Sequence, residues 1–416
     1  MKKIISSAVT ALLLPAVANA EWTKSYVIEW NEPAMYFGGV DGSITNPGKD
    51  CPKGVNPELD WIKVLTNAGY SEEEAKWIRN PANPTRSPVH GQNQVAFRGK
   101  DRANVYVHPE SYPDPGLYPM EGQVAEGLNL DGDDSTGLTS PAGKKGIDNV
   151  FYETLGCWKS YRGPERLSSG ALQFNDAMRN GAWTTVVVVH GRGKDPLNDN
   201  NVEVGFYLSD DDMVKGGNGE IAPDYTFVVK PDAKYEAIFK AKTENGVIKT
   251  KKPSEQVMLR DPGYTRDLEL LDAQLELVMN EDGTLRGYVG GYRPWMKVYQ
   301  GWVDARGPVI EALTWVELPA VYYALKRTAD YKPKGAKGPN THISYALRID
   351  AIPAYVMSPD AHNQVAKIKS YKALVDEPPQ VARATRFRVI DGLVPLPDKS
   401  LKYGPDVDVF ASRKTN

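Results

Sequence analysis

Between Leu128 and Asn149 the chain reads LNLDGDDSTGLTSPAGKKGIDN, with four Asp and two Asn spread among four Gly. Oxygen donors on a chain that can turn sharply are what a calcium ion requires, since it takes about six to eight oxygens from side chains, carbonyls and water. An EF-hand is excluded by spacing. Counted from Asn129, residues Asn129, Asp131 and Asp133 fill the first, third and fifth places, but Asp134 stands where glycine must turn the chain and Ser140 where a bidentate glutamate must close the site. A looser Ca²⁺ site is the remaining metal reading, with Asp131, Asp133 and Asp134 clustering carboxylates and Asp148 and Asn149 returning to complete the shell. The competing reading is that Asn, Asp and Gly here make tight, solvated turns.

Two further stretches carry chemistry. In HGRGKDPLNDNN, a strand exit presents His190, Arg192 and Lys194. There the imidazole is a candidate general base and the two cations candidate holders of an anionic substrate. In GYVGGYRPWMKVYQGW, Tyr288, Tyr292, Trp295 and Trp302 are the candidate ligand-binding residues, because aromatic faces beside polar groups suit sugars and apolar ligands. Core and rim packing of a large β domain is the competing and favoured reading, since aromatics bury more area than any other side chains. No GxSxG elbow, HExxH helix, Walker loop or GxGxxG fingerprint occurs, and LGCWKS lacks the histidine of a haem-attachment motif. Neither haem nor nucleotide is therefore expected.

The elements that must position these residues read mostly as strands. AWTTVVVVHG is a buried β-branched run, NVEVGFYLSD alternates polar and apolar residues, and QLELVMNEDGTLRGYVGGY reads as a hairpin turning at Asn280 to Gly283. Regular strands separated by turn signals predict a mainly β protein, with an antiparallel sandwich or jelly-roll-like core and a few short helices. One helix is expected after Pro57, ending at Gly69. A second starts at the Ser71 to Glu74 capping box, and a third at Pro319. The expected organisation is a loop-rich region over 21–165, an antiparallel β domain over 166–370, and an irregular tail over 371–416.

Residues 1–20, MKKIISSAVTALLLPAVANA, carry two lysines, an apolar core and a small-x-small ending, the three regions of a signal peptide cleaved near Ala20. A periplasmic or extracellular protein is thus expected, and no segment reaches the roughly 20 apolar residues of a membrane span. Losing that leader removes two lysines and no acid, so the formal charge moves from −3 to −5, which excludes general attraction to nucleic acid. The only cysteines, Cys51 and Cys157, are expected to pair in an oxidising compartment.

LNLDGDDSTG, GKKGIDNVFYETLGCWKSYRGP, DPLNDNNVEVGFYLS and GTLRGYVGGYRPW together resemble a family of secreted proteobacterial proteins marked by an LDGD…GIDN loop. The resemblance implies export and a β-rich chain with an Asp/Asn-rich loop, and it implies no reaction. Taken together these features predict a disulfide-stapled, calcium-stabilised binding protein of the cell envelope, whose partner is a ligand or an envelope protein. The alternative is a secreted hydrolase or lyase acting on a polymer. It requires His190, Arg192 and the Tyr288 to Trp302 segment to line one pocket.

Overall fold

The computed structural model describes residues 21–38, 50–55, 62, 66, 70–80, 82, 100–261, 267–304 and 318–375. The expected signal peptide over 1–20, the expected helix over 57–69 apart from residues 62 and 66, and the expected tail from 376 onward lie outside the described residues.

Among the described residues eleven strands form the frame: β1 (Trp22–Pro33), β2 (Thr184–Gly191), β3 (Val202–Ser209), β4 (Thr226–Lys230), β5 (Ala237–Glu244), β6 (Val247–Thr250), β7 (Ser254–Arg260), β8 (Asp267–Met279), β9 (Leu285–Pro294), β10 (His342–Pro353) and β11 (Tyr355–Met357). Neighbours run β3-β2-β1-β10-β9-β8-β6-β5, and β5 then pairs back onto β3, with Val204 opposite Phe239. Every one of these pairings is antiparallel. This closed, eight-stranded, up-and-down barrel overturns the expected sandwich or jelly roll. Strand alternation is the same in both architectures, because a period of two says which side chains face inward and nothing about whether the last strand meets the first. Outside the closed ring, β7 extends the pairing of β8, while β4 and β11 make a flap on β3.

Eight strands enclose a space that side chains alone can fill. Here Val187 and Val189 stand opposite Phe206 and Val204, and Val289 opposite Leu347, all buried, with Phe206 edge-on to Phe239 at 5.8 Å. The other face of β2 is buried too, which explains its unbroken valine run. A segment reaching Tyr371 crosses outside it, held by Thr23 Oγ1 to the Ala366 carbonyl at 3.1 Å and Tyr207 Oη to the Lys369 carbonyl at 2.9 Å.

One end of the barrel is closed by Trp22, whose indole donates to Asp199 at 3.0 Å and lies against Gly191. A Cβ on Gly191 would fall 2.1 Å from that ring. Gly191→Ala is therefore expected to cost about 1–3 kcal/mol through overpacking, read as a lower urea midpoint; an unchanged midpoint would show that the indole does not seal this end. The opposite end is plugged by helices α2 (Val150–Leu155), α3 (Ser169–Ala177), α4 (Trp295–Asp304) and α5 (Leu318–Thr328). Their aromatic core joins Phe151 to Tyr345 at 5.0 Å and Trp158 to Trp302 at 5.2 Å. At this end β1 has outrun β2, and the Asn175 side chain takes the missing strand's place, pairing with the Asn31 amide and carbonyl at 2.9 and 2.7 Å. Satisfying buried backbone groups in this way avoids the cost of leaving them unpaired.

The expected capping box is present at Ser71 and Glu74, at the start of helix α1 (Glu72–Arg79), and the β8–β9 turn closes with the Gly283 amide on the Asn280 carbonyl at 3.0 Å. Cys51 and Cys157 form the disulfide, with Cα atoms 5.6 Å apart. Beside the bridge, Asp50 and Arg162 make a buried ion pair at 2.5 Å, joined by the Tyr152 hydroxyl at 3.3 Å. Among the described residues no helix is long and apolar enough to cross a membrane.

Candidate binding cleft

A cleft of about 740 Å³ lies on the outer wall of the barrel, near the helix-plugged end. Its sides come from the Asp-rich loop (Leu130, Asp131, Thr136 to Leu138, Asp148), from α2 (Val150, Glu153), from β8, β9 and β10 (Asp272, Tyr292, Ser344), from the residues after α5 (Asp330, Tyr331), and from Pro253. Among the described residues five carboxylates line it, and no lysine or arginine does.

Each wall is fixed by backbone hydrogen bonding. The loop is tied to the barrel where Gln274 Nε2 donates to the Leu130 carbonyl at 2.8 Å, and it closes on itself where the Leu130 and Asp131 amides donate to Asp148 at 2.6 and 3.2 Å. Helix α2 starts at Asn149, whose side chain accepts from the Tyr152 amide at 3.1 Å, and it is fastened to β10 by the Val150 amide on Ser344 Oγ at 2.8 Å. Asp330 accepts from the Ser344 amide at 2.8 Å, and Tyr331 pairs in both directions with the His342 backbone.

Asp272 reaches the cleft through a bulge. The β8–β9 register shifts between Leu271 and Gln274, and Asp272 sits in the left-handed region at φ 47°. Bulges re-aim side chains, and non-glycine residues adopt this region only when the surroundings hold them there. Here the carboxylate accepts from the Tyr331 hydroxyl at 2.5 Å, while the Tyr331 ring stacks on Tyr292 at 3.8 Å with the planes 10° apart. Burial and the Asp272 charge push the Tyr331 phenol up to about 12, so it stays a hydrogen-bond donor.

The acids are strained electrostatically. Glu153 is pushed up to about 7, first by burial and then by the charges of Asp330 and Asp148, and among the described residues its carboxylate has no hydrogen-bond partner. Asp148 is raised by burial and by Asp131 and Asp330, against the two amides that favour its charged form. Asp330 is raised by the removal of water around its carboxyl group and by Asp131, although the residue as a whole is exposed. A bound cation would relieve this mutual repulsion.

Of the metal set, Asp131 and Asp148 line the cleft. Asp133 instead accepts from the Ser135 amide and hydroxyl at 2.8 and 2.6 Å, Asp134 accepts from Asn129 at 2.8 Å, and Asn149 is a buried helix cap bonded to the Ala34 and Glu126 carbonyls. Among the described residues no group of three or more His, Cys, Asp or Glu is placed to hold a metal ion. His190 is buried on the outer face of β2 against Thr23 at 3.1 Å; Arg192 is exposed near Glu203, and Lys194 is exposed. Of the aromatic set only Tyr292 lines the cleft. Tyr288 donates to Glu126 at 3.2 Å, Trp295 packs on Tyr322 at 5.5 Å, and Trp302 belongs to the helical plug. His190 lies beside the start of β1 and Tyr292 beside the start of β10, at opposite ends of the barrel, so the two sets do not share a pocket.

Glu153, Asp272, Asp330 and Tyr331 had no signal in local spacing; the fold brings them together from a helix, a bulge and a loop. What fold and cleft define is a closed up-and-down barrel with an acidic site on its outer wall. No protein-family model, curated protein or solved structure matches the chain.

Proposed function

We propose that this is an exported binding protein whose outer cleft takes an organic cation, an ammonium or guanidinium group carried on a short aliphatic or peptidic chain. The observation that carries this reading is the convergence of five carboxylates on one cleft with a stacked tyrosine pair and, among the described residues, no lysine or arginine in its lining. Export is supported by the leader-like residues 1–20 and by the disulfide, which suits an oxidising compartment. The carboxylates are spread around the walls, which suits an extended organic cation with several hydrogen-bond donors better than a compact Ca²⁺ ion. His190 lies at the other end of the barrel and of the aromatic set only Tyr292 lines the cleft, which favours binding over the hydrolase or lyase alternative.

The sign of the pH dependence follows. A cation binds the ionised acids, so affinity is low where Glu153 is protonated and rises as pH passes through about 7. With hexamethylenediamine as probe, Glu153→Gln is expected to weaken binding about fivefold near pH 8, corresponding to the loss of about 1 kcal/mol of charge attraction. Near pH 5.5 the same variant and the wild type should bind alike, because Glu153 is then already neutral. An equal loss at both values, or none at either, would contradict this role for Glu153.

A further inference from the structure

We infer that residues 364–371 form an acid-released strap, whose docking on the outer face of β1, β2 and β3 is set by the protonation of His190. Over residues 366–371 the strap has no strand pairing. Side chains hold it instead: Thr23 Oγ1 donates to the Ala366 carbonyl at 3.1 Å, Tyr207 Oη donates to the Lys369 carbonyl at 2.9 Å, and the Tyr371 amide donates to Glu236 at 2.9 Å. Val365 and Tyr371 are its buried anchors, Tyr371 standing edge-on to Tyr207 at 5.5 Å, while Ala366, Lys367, Lys369 and Ser370 between them are exposed. A segment with few buried side chains and no ladder belongs to the part of a fold that opens most readily.

His190 is wired to this strap. On the outer face it stands between Thr23 of β1, which is exposed, and Glu203 of β3, which is part-exposed, yet it is itself only 1 % exposed. The sheet alone does not cover it; the strap, bonded to Thr23, crosses there. Thr23 has one hydroxyl proton, and giving it to Ala366 leaves its oxygen to accept from His190 Nδ1–H at 3.1 Å. The neutral ring then carries a bare lone pair on Nε2, which among the described residues has no hydrogen-bond partner. A second proton on the ring would create a buried N–H without an acceptor. The charges nearby do not supply one. Glu203 is turned to Arg192 at 3.6 Å and stands opposite Lys240 of β5, and Lys367 of the strap is turned to Glu21 at 3.5 Å. Lys369 lies over the Tyr371 ring at 5.0 Å. With two lysines and no acid, the strap also repels a charged imidazole. Protonation thus favours the state in which the strap lifts and water reaches Nε2, and lifting it uncovers the buried Val186 and Val188 side chains.

The test is hydrogen exchange of the full protein near pH 7.5 and near pH 5.5, either side of the ordinary imidazole range, with rates corrected for intrinsic pH dependence. Protection of the Tyr371 amide is expected to fall about tenfold at the lower value, the effect of one unsatisfied buried donor, while the β2 amides keep theirs. His190→Asn can still donate to Thr23 but does not titrate, so its Tyr371 protection should be the same at both values. Thr23→Val, at an exposed position, cuts the link to Ala366 and should lower that protection already near pH 7.5. Equal protection of the wild type at both values would overturn the inference. So would a fall in His190→Asn as large as in the wild type, which would make Glu236 the sensor, or a Thr23→Val strap as protected as the wild type's near pH 7.5.

Discussion

Removal of the Cys51–Cys157 bridge lowers the stability of the protein by about 4–5 kcal/mol, the loop-closure entropy returned to the unfolded chain when a link of about a hundred residues is cut. The sequence separation of 106 puts this disulfide at the strong end of that scale. The bridge also fastens residues 50–55 to the end of α2, so its loss loosens the support beneath Glu153 at the cleft. Urea unfolding of Cys51→Ser, Cys157→Ser against the wild type reads the effect as a fall in midpoint. A change below about 1 kcal/mol would mean that the segment is held by its other contacts and that the staple is incidental.

The second large effect belongs to Arg162. Its guanidinium and the Asp50 carboxylate are both almost fully buried, at 2 % and 3 % side-chain exposure. Arg162 also donates to the Gly156 carbonyl at 3.3 Å and covers the Phe37 ring at 4.6 Å. Arg162→Leu leaves the buried Asp50 without its charge partner, with the Tyr152 hydroxyl its one remaining side-chain partner among the described residues, and is expected to cost about 3–5 kcal/mol. Pairing that change with Asp50→Leu should restore much of the loss, because replacing both charges removes the uncompensated one. A double variant as unstable as the single one would show that shape, not charge, dominates. Asp50 adjoins Cys51, so the disulfide and ion-pair effects should fall short of adding.

The sequence made individual strands readable and left their closure hidden. The valine run of β2, the β8–β9 hairpin and the Ser71 cap are local patterns, and all three appear as expected. The pairing of β5 with β3, which turns a sheet into a barrel, is a long-range choice that either architecture's alternation permits. At the cleft, density of Asp and Gly drew attention to one loop, and two of its acids, Asp131 and Asp148, do line the cavity. Asp133 and Asp134, as conspicuous in the sequence, are spent on turn hydrogen bonds within the loop. The residues that complete the site give no local clue. Glu153 lies on a short helix that the sequence did not announce, Asp272 reaches the cleft only because a bulge breaks the alternation of β8, and Tyr331 comes from the segment after α5. His190 shows the converse: a strand-exit histidine that looked chemical is buried against Thr23.

The measurement that bears most directly on the central claim is a calorimetric titration of the purified protein with hexamethylenediamine and, separately, with hexanoate, each near pH 8 and near pH 5.5. The account predicts saturable binding of the diamine that strengthens with pH as Glu153 and its neighbours ionise, and no binding of hexanoate at either value. Binding of hexanoate in preference to the diamine, or diamine affinity that ignores pH across about 7, would contradict it.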